Sequence, residues 1–347
     1  MPEPREVDPR EFEEEHAAEV ALRPQRLEDF VGQANIHEQV RVLVEAARGR
    51  GEPIDHILLY GPPGLGKTTL AQIIATEMGV QARLTSGPAL EHQGMLASIL
   101  TSLNDRDVFF IDEVHRLNSA VEEALYPAME DLAFDFVAGR GAGAQTLRLS
   151  LNRFTVIAAT TRAGALGGPL RDRFGVTFRL DYYDIAELTD IIRRSARLMR
   201  IEVDDEGATL LASRARGTPR VANRLLRRAR DYAQVRAAGR IDVAAASSAL
   251  DMLGVDAAGL DEMDRRVLAA LTGPLRGHPV GAQTIAVSVQ EEPETIEDVV
   301  EPYLIRLGML ARTPRGRVPT ARAYEHLGLP VPAGTVGGDD AQPSLFS

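Results

Sequence analysis

The stretch His56-Ile57-Leu58-Leu59-Tyr60-Gly61-Pro62-Pro63-Gly64-Leu65-Gly66-Lys67-Thr68-Thr69 decides how the rest of the chain is read. Its first five residues are a short apolar run stopped by Gly-Pro-Pro, which by length is a buried strand. Helical spacing then runs from Thr68 to Met78. Between the two, Gly61 to Thr68 fits Gly-x-x-x-x-Gly-Lys-[Ser/Thr], in the strand–loop–helix context that a phosphate-cradling loop requires. Glycines let backbone N–H groups wrap phosphate oxygens, and the helix N-terminus adds the positive end of its dipole. In this reading Lys67 reaches the β- and γ-phosphates and Thr68 offers its hydroxyl to Mg2+. Gly64, Gly66 and Thr69 complete the loop's share of the nucleotide site.

Composition sharpens the point. The chain of 347 residues has 38 Arg and a single Lys, and that lysine is Lys67. A compact ammonium has been kept at one position in a chain that otherwise uses the planar guanidinium fork. No second lysine is available for a Schiff base or for the Asn-Lys-x-Asp motif of typical GTP-binding proteins. With no Cys, disulfides and Cys-based zinc or iron–sulfur sites are excluded, which fits a cytoplasmic protein. No apolar run approaches the ~20 residues of a membrane span, and the first residues are acidic, unlike a secretion signal. The net charge of -11 argues against a uniformly basic nucleic-acid binder. It is unevenly spread, however: Arg214 to Arg230 holds seven Arg and no acid, and Pro302 to Arg322 holds five Arg and no acid.

Working outward, apolar strands are expected at Val80–Leu84, Val108–Ile111, Phe154–Ala159 and Val176–Leu180, with helical patterns between most of them. Strand alternating with helix predicts an α/β core with a mainly parallel sheet, whose ligands sit at the C-terminal strand ends. One strand, Val108-Phe109-Phe110-Ile111-Asp112-Glu113, delivers two carboxylates to such an end. Asp112 is placed to anchor Mg2+ through water and Glu113 to polarise an attacking water, a pairing that implies hydrolysis. From Asp184 to about Leu253 the periodicity is helical, with breaks at Arg200–Asp205, Gly217-Thr218-Pro219 and Gly239, and Gly254–Gly259 reads as a linker. Three short helices and two strands around Thr313-Pro314-Arg315-Gly316 then predict a winged helix. The expected division is a disordered acidic tail over 1–18, the α/β domain over 19–183, a small helical domain over 184–255, the winged helix over 256–330 and a disordered tail over 331–347.

The order of motifs is distinctive. Thr160-Thr161 ends a strand, Pro169-Leu170-Arg171-Asp172-Arg173-Phe174-Gly175 follows, and Arg216-Gly217-Thr218-Pro219-Arg220 comes later. Together with Asp55-His56-Ile57-Leu58, Tyr126-Pro127-Ala128-Met129-Glu130-Asp131, Ala159–Gly164 and Arg312–Arg317, they resemble the bacterial RuvB family of AAA+ ATPases over roughly residues 20–330. The resemblance implies a hexameric, ATP-driven motor of Holliday-junction branch migration that works with RuvA and, indirectly, RuvC in the bacterial cytoplasm. It implies that Thr161 is sensor 1, that Arg173 is an arginine finger acting on the neighbouring subunit's site, and that Arg220 is sensor 2. Leu22, Arg23 and Tyr183 would line the adenine pocket, with Glu130, Asp131 and Leu132 nearby on the same face. A finger supplied in trans stabilises the spread charge of phosphoryl transfer and makes each firing depend on a neighbour.

Two apolar stretches flanking the Gly/Ala tip at 138–144 predict a β-hairpin at about 133–151. An apolar hairpin facing solvent needs a cover. The family implies RuvA; packing within the hexamer is the alternative. Arg312, Arg315 and Arg317 on the wing are expected to contact DNA phosphates, which gives sequence-blind binding. The Arg214–Arg230 stripe is open between DNA, nucleotide and a neighbouring subunit. The C-terminal Gln342-Pro343-Ser344-Leu345-Phe346 resembles the peptide with which bacterial proteins bind the replication sliding clamp. The alternative function is a nucleotide-switched DNA-binding protein of the replication-initiator type. A clamp-loader subunit fits poorly, because its Ser-Arg-Cys finger motif needs a cysteine.

Overall fold

Three strands with buried apolar interiors set the architecture. Ile57–Tyr60 (β1), Val108–Asp112 (β3) and Thr155–Thr160 (β6) lie side by side in a five-stranded parallel sheet, flanked by Ala82–Ser86 (β2) and Val176–Arg179 (β7), in the order β2-β3-β6-β1-β7. The computed structural model describes residues 21–138, 145–276 and 278–337, with side chains omitted over 136–146. The expectations for the 1–18 tail, the hairpin tip and Gln342–Phe346 fall outside those residues.

Central strands of a parallel sheet are covered on both faces, so they read as continuous apolar runs. All six residues of β6 are buried, as are Ile57, Leu58 and Leu59 in β1. Each such Leu or Ile contributes about 1.5–3 kcal/mol by leaving water. Leu58, Phe109, Ile111 and Val156 pack with Leu96 and Leu100 of the helix Gln93–Ser102 and with Val121 and Leu125 of Ser119–Glu130. Strand β2 starts two residues later than the sequence pattern suggests. The amides of Gly79 and Val80 close the last turn of the helix Lys67–Met78 through Thr76 O and Ala75 O, so Val80 belongs to that cap. Ala133–Ala138 (β4) and Gln145–Ser150 (β5) pair antiparallel, from Ala133 opposite Ser150 to Ala138 opposite Gln145.

The chain divides into two compact units, Met1–Ile191 and Ile192–Ser347. In the second, the helices Asp205–Ser213, Pro219–Arg236 and Val243–Met252 follow the expected helical region. Its breaks also hold a small parallel ladder that the helical reading missed, Glu202–Val203 (β8) against Arg240–Ile241 (β9). Both pieces are extended because each leads into an N-cap: Asp204 accepts from Gly207 N and Asp242 from Ala245 N. The winged helix contains Glu262–Thr272, Ala282–Val289 and an irregular helix running from Pro293 through a π-turn to Arg306. The hairpin Leu310–Thr313 (β10) and Gly316–Pro319 (β11) completes it, with a bridge from Arg317 to Val280. Its core gathers Leu260, Val267, Leu268, Leu271, Ile285 and Leu304. No described helix is long and apolar enough to cross a membrane.

Candidate nucleotide site and nucleic-acid interface

The phosphate loop leaves β1 through Gly61, whose φ of +144° and position against Leu180 O admit no side chain: a Cβ there would meet that carbonyl at 2.3 Å. Gly64 and Gly66 also hold positive φ, at 79° and 96°, and Gly66 is the N-cap of the helix that begins at Lys67. Lys67 is 7% exposed, and its ammonium donates to Gly61 O and Pro62 O, both at 2.8 Å. The side chain thus lies over the loop, along the line that phosphate oxygens take in such a cradle.

The sheet order brings the second half of the chemistry beside the first. Strand β3 ends at Asp112, and Thr68 Oγ1 donates to Asp112 Oδ2 at 3.2 Å, while Glu113 N donates to Oδ1 at 2.9 Å. Glu113 itself has φ 49°, a left-handed conformation that turns the chain away after the strand, and its carboxylate accepts from Arg116 at 3.3 Å. Strand β6, between β3 and β1, ends at Thr160, whose buried hydroxyl lies 2.9 Å from His115 Nδ1 and accepts from Arg162 N. Thr161 is the next residue, half-buried just past the sheet end. Lys67, Thr68, Asp112, Glu113 and Thr161 therefore lie at or after the C-terminal ends of the three adjacent central strands. His115 escaped the sequence reading; only its place three residues after Asp112 hinted at it.

A second group of expected residues follows the N-terminal segment. Leu22 is buried, Phe30 packs its ring on Gly66, and Tyr183 is buried with its hydroxyl donating to Leu65 O at 3.3 Å. Burial, reinforced by Glu187, pushes the Tyr183 phenol well above its ordinary range, so it stays protonated. Arg23 lines a cleft with Gln72, Ala75 and Thr76 on the outer face of the helix after the phosphate loop.

Glu130 and Asp131 have their ion-pair partners elsewhere, at Arg173 and on the hairpin. Glu130 Oε1 lies 3.1 Å from Arg173, whose guanidinium sits 4.1 Å over the Tyr126 ring and also donates to Pro169 O. Asp131 pairs with Arg148 of the hairpin at 2.9 Å. Leu132 turns the chain with φ 51° into β4. The helix Ser119–Glu130 ends beside the Arg173 loop, and the 130–132 turn goes with it. Tyr126 was missed as a partner of Arg173. Burial and the Glu122 carboxylate, which accepts from its hydroxyl at 2.6 Å, push the Tyr126 phenol up to about 12.

In the second unit Arg220 sits exposed in the first turn of the helix Pro219–Arg236, capped by Thr218. The Arg stripe is partly consumed locally, since Arg228 and Arg230 both pair with Asp231. On the wing, Arg312 and Arg315 are exposed. Arg317 is not: it is 8% exposed and ion-pairs with Glu301 and with Glu297, the latter at 2.9 Å. Its guanidinium faces inward to two carboxylates four residues apart on the preceding helix, and that spacing is the sequence signal that would have shown it. On β4–β5, Leu147 and Leu149 are exposed at 50% and 38%, an apolar pair on the hairpin as the sequence suggests.

Comparison with known proteins follows this geometry. Residues 22–180 match the family described as Holliday junction DNA helicase RuvB P-loop domain, 183–256 the RuvB AAA lid domain, and 257–328 the RuvB C-terminal winged helix domain. The Holliday junction branch migration complex subunit RuvB of Chloroflexus aggregans is 57% identical over 328 residues, covering 94% of each chain. That of Chloroflexus aurantiacus is 55% identical over 336 residues, covering 97% of this chain and 96% of its own. A solved structure of the Thermotoga maritima RuvB Holliday junction branch migration motor superposes with a TM-score of 0.82 at 48% identity, covering 90% of this chain and all of that one. Phosphate loop, lid and wing occur in the same order throughout, and the chain belongs to the RuvB family of AAA+ ATPases.

Proposed function

We propose that this chain hydrolyses ATP to drive branch migration of Holliday junctions, in a complex with RuvA. The observation that carries the reading is the meeting of Thr68 with Asp112, with Lys67, Glu113 and Thr161 on the same three strand ends. Hard oxygen donors of this kind suit Mg2+, which is usually held by one or two protein oxygens plus substrate phosphates. Consistently, the described residues contain no cluster of three or more His, Asp or Glu able to hold a metal unaided. Thr68 directly and Asp112 through water would hold the ion, which when bound draws charge off the β- and γ-oxygens.

The protein's own groups then divide the work. Lys67 exchanges the carbonyls of Gly61 and Pro62 for phosphate oxygens. Glu113 releases Arg116 and polarises the attacking water, and Thr161 holds that water or the γ-phosphate. Arg173 is offered to the neighbouring subunit's nucleotide, with Glu130, Asp131 and Leu132 on the same edge. Its position against Tyr126 and Glu130, on a surface loop, supports that trans assignment. Leu22, Arg23 and Tyr183 hold the base, and Arg220 senses nucleotide state. A trans finger requires a neighbouring subunit, and by the family resemblance we assign a hexamer.

On the DNA side, Arg312 and Arg315 grip phosphates without reading sequence. The exposed Leu147 and Leu149 fit the RuvA-docking role of the hairpin. RuvC acts through the assembled complex, the bacterial cytoplasm is the compartment, and Gln342–Phe346 is a candidate ligand for the sliding clamp.

The test is ATP turnover and junction movement with and without four-way junction DNA and RuvA. ATP-dependent movement, with turnover stimulated by DNA, is expected. Tight sequence-specific binding without junction movement would instead identify the initiator-type switch.

A further inference from the structure

Nucleotide chemistry and DNA grip belong to different parts of this chain, so a motor needs a stiff connection between them. The sequence suggests the opposite at 254–259, a Gly-bounded linker. In the structure that segment is pinned. Asp256 Oδ1 accepts from the amides of Ala258 and Leu260, both at 2.9 Å, and its other oxygen meets His326 at 2.9 Å. Tyr303 donates its hydroxyl to Ala258 O at 2.6 Å.

The residue that joins this pinned segment to the lid is Arg216. It stands four residues before Arg220, in the turn that leads into Arg220's helix. Its guanidinium is largely buried, with the side chain 10% exposed. Nε donates to Gly259 O at 2.9 Å, while one terminal nitrogen lies 2.6 Å from Asp264 and 2.7 Å from Asp261. The fork also sits 5.0 Å over the Tyr303 ring. Asp261 and Asp264 are the two ends of the capping box that starts the first helix of the winged domain. One side chain therefore holds the linker, a helix start and the aromatic ring of a third element.

The backbone at this point is held as firmly. Arg216 has φ +56°, a left-handed conformation that costs a non-glycine residue free energy and persists only where its surroundings enforce it. Arg306 of the winged domain donates to Arg216 O at 3.1 Å. Gly217 holds φ +71°, a conformation that favours glycine, and the Arg306 guanidinium packs against its open face. The fork reaches Gly259 O with Nε and the two carboxylates with a terminal nitrogen, two separated points that a single ammonium does not occupy at once.

We infer that Arg216 is a positioning residue that couples the nucleotide-sensing helix bearing Arg220 to the DNA-binding winged helix, so that nucleotide state at the first is felt as wing position at the second. This rests on the proposed reading of Arg220 as a nucleotide sensor and of the wing as the DNA contact. Arg216 itself touches neither ligand. Because coupling free energies are reciprocal in binding, DNA on the wing biases the same helix.

The experiment uses the full chain and linear duplex DNA, reading basal kcat and KM for ATP, DNA affinity, and the increase of kcat on adding DNA. Arg216→Met is expected to keep the first three within about twofold and to lose DNA stimulation by roughly 5-fold or more, the lower end of typical allosteric coupling. Arg216→Lys, which keeps the charge and loses the fork, should not restore it. Asp261→Asn, at the more exposed partner, should show a smaller loss of the same kind and serves if Arg216→Met does not fold. Equal DNA stimulation in Arg216→Met and Asp261→Asn overturns the coupling alone. Loss of basal turnover or DNA affinity together with stimulation marks a purely structural role and also overturns it. Absence of DNA stimulation in the unmodified chain defeats the motor reading, and the coupling with it.

Discussion

Lys67 and Arg317 are both nearly sealed from water, at 7% and 8% exposure, and they have been put to opposite uses. Lys67 donates to two backbone carbonyls of its own loop, five and six residues away. Those are neutral dipoles that phosphate oxygens outcompete. Arg317 reaches across to two carboxylates, sixteen and twenty residues away, and its charge is matched on the spot. A phosphate would have to displace formal negative charge in a desolvated setting, where pairing is strong and separation is costly. Burial of a cation thus says little about function until its partner is named. Arg173 lies between the extremes, braced by a single exposed carboxylate and an aromatic face at a surface loop.

The strongest way to sharpen that ranking is to remove Arg173. Arg173→Ala is expected to lower ATP turnover by about 10³–10⁵, the usual worth of an arginine finger. Because its target is proposed to lie in the next subunit, mixed rings should lose activity more steeply than the fraction of mutant subunits. A strictly proportional loss would show that each subunit works alone. Lys67→Arg comes next. The broader guanidinium does not fit where the ammonium lies over Gly61 and Pro62, and a fall of about 10²–10³ in kcat is expected. Phosphate release at the unmodified rate would remove the one role that explains a lone lysine.

The wing supplies the contrasting pair. Arg317→Met leaves Glu297 and Glu301 without their cation and should cost about 3–5 kcal/mol of stability in calorimetric or denaturant unfolding. Its DNA affinity should keep the same salt slope. Arg315→Ala should do the reverse, leaving stability within about 0.5 kcal/mol while reducing the slope of log affinity against log salt by about 1. If Arg317→Met lowers the slope and spares stability, the inward ion pair is not its working state.

These cations also show where sequence reasoning stops. Gly61 to Thr68 and Asp112-Glu113 were legible because spacing along the chain fixes their chemistry: a strand, a glycine loop and a helix leave little freedom. The parallel sheet was legible for the same reason, since the interiors of β1, β3 and β6 are apolar. The inward pairing of Arg317 was not legible because Arg312 and Arg317 are cross-strand neighbours on the wing, alike in type and hairpin, and one of them is covered by a helix earlier in the chain. The contact of Glu130 with Arg173 was not legible because nothing local announces that Arg173, forty-three residues on, lies beside it. The Arg216 clamp was invisible for a further reason: its partners, Gly259, Asp261, Asp264 and Tyr303, look individually like a linker glycine, a capping box and a core aromatic.

The smallest effect expected is a slope rather than a loss. Burial holds the Glu301 carboxyl above the usual carboxylate range, although Arg317 and Arg312 pull it back towards ionisation. Below its ordinary value both folded and unfolded chains carry the proton, and the group is neutral to stability. As pH rises past that value the unfolded chain releases the proton first, so stability falls until the folded-state value is passed, and is then level. Asp264, held by burial at about 6 despite Arg216, adds the same sign in the same unit. These two groups contribute a gentle decline in the unfolding free energy measured between mildly acidic and neutral pH, set against the opposite contribution of His56, whose imidazole burial holds below its ordinary range. Glu301→Gln should flatten part of that decline and leave the share due to Asp264. Arg317→Met should steepen it, because the charge that draws Glu301 towards ionisation is gone. A decline unaffected by either substitution would mean that the Arg317 carboxylates are solvated after all, and Arg317 would then rejoin Arg312 and Arg315 as a cation available to DNA.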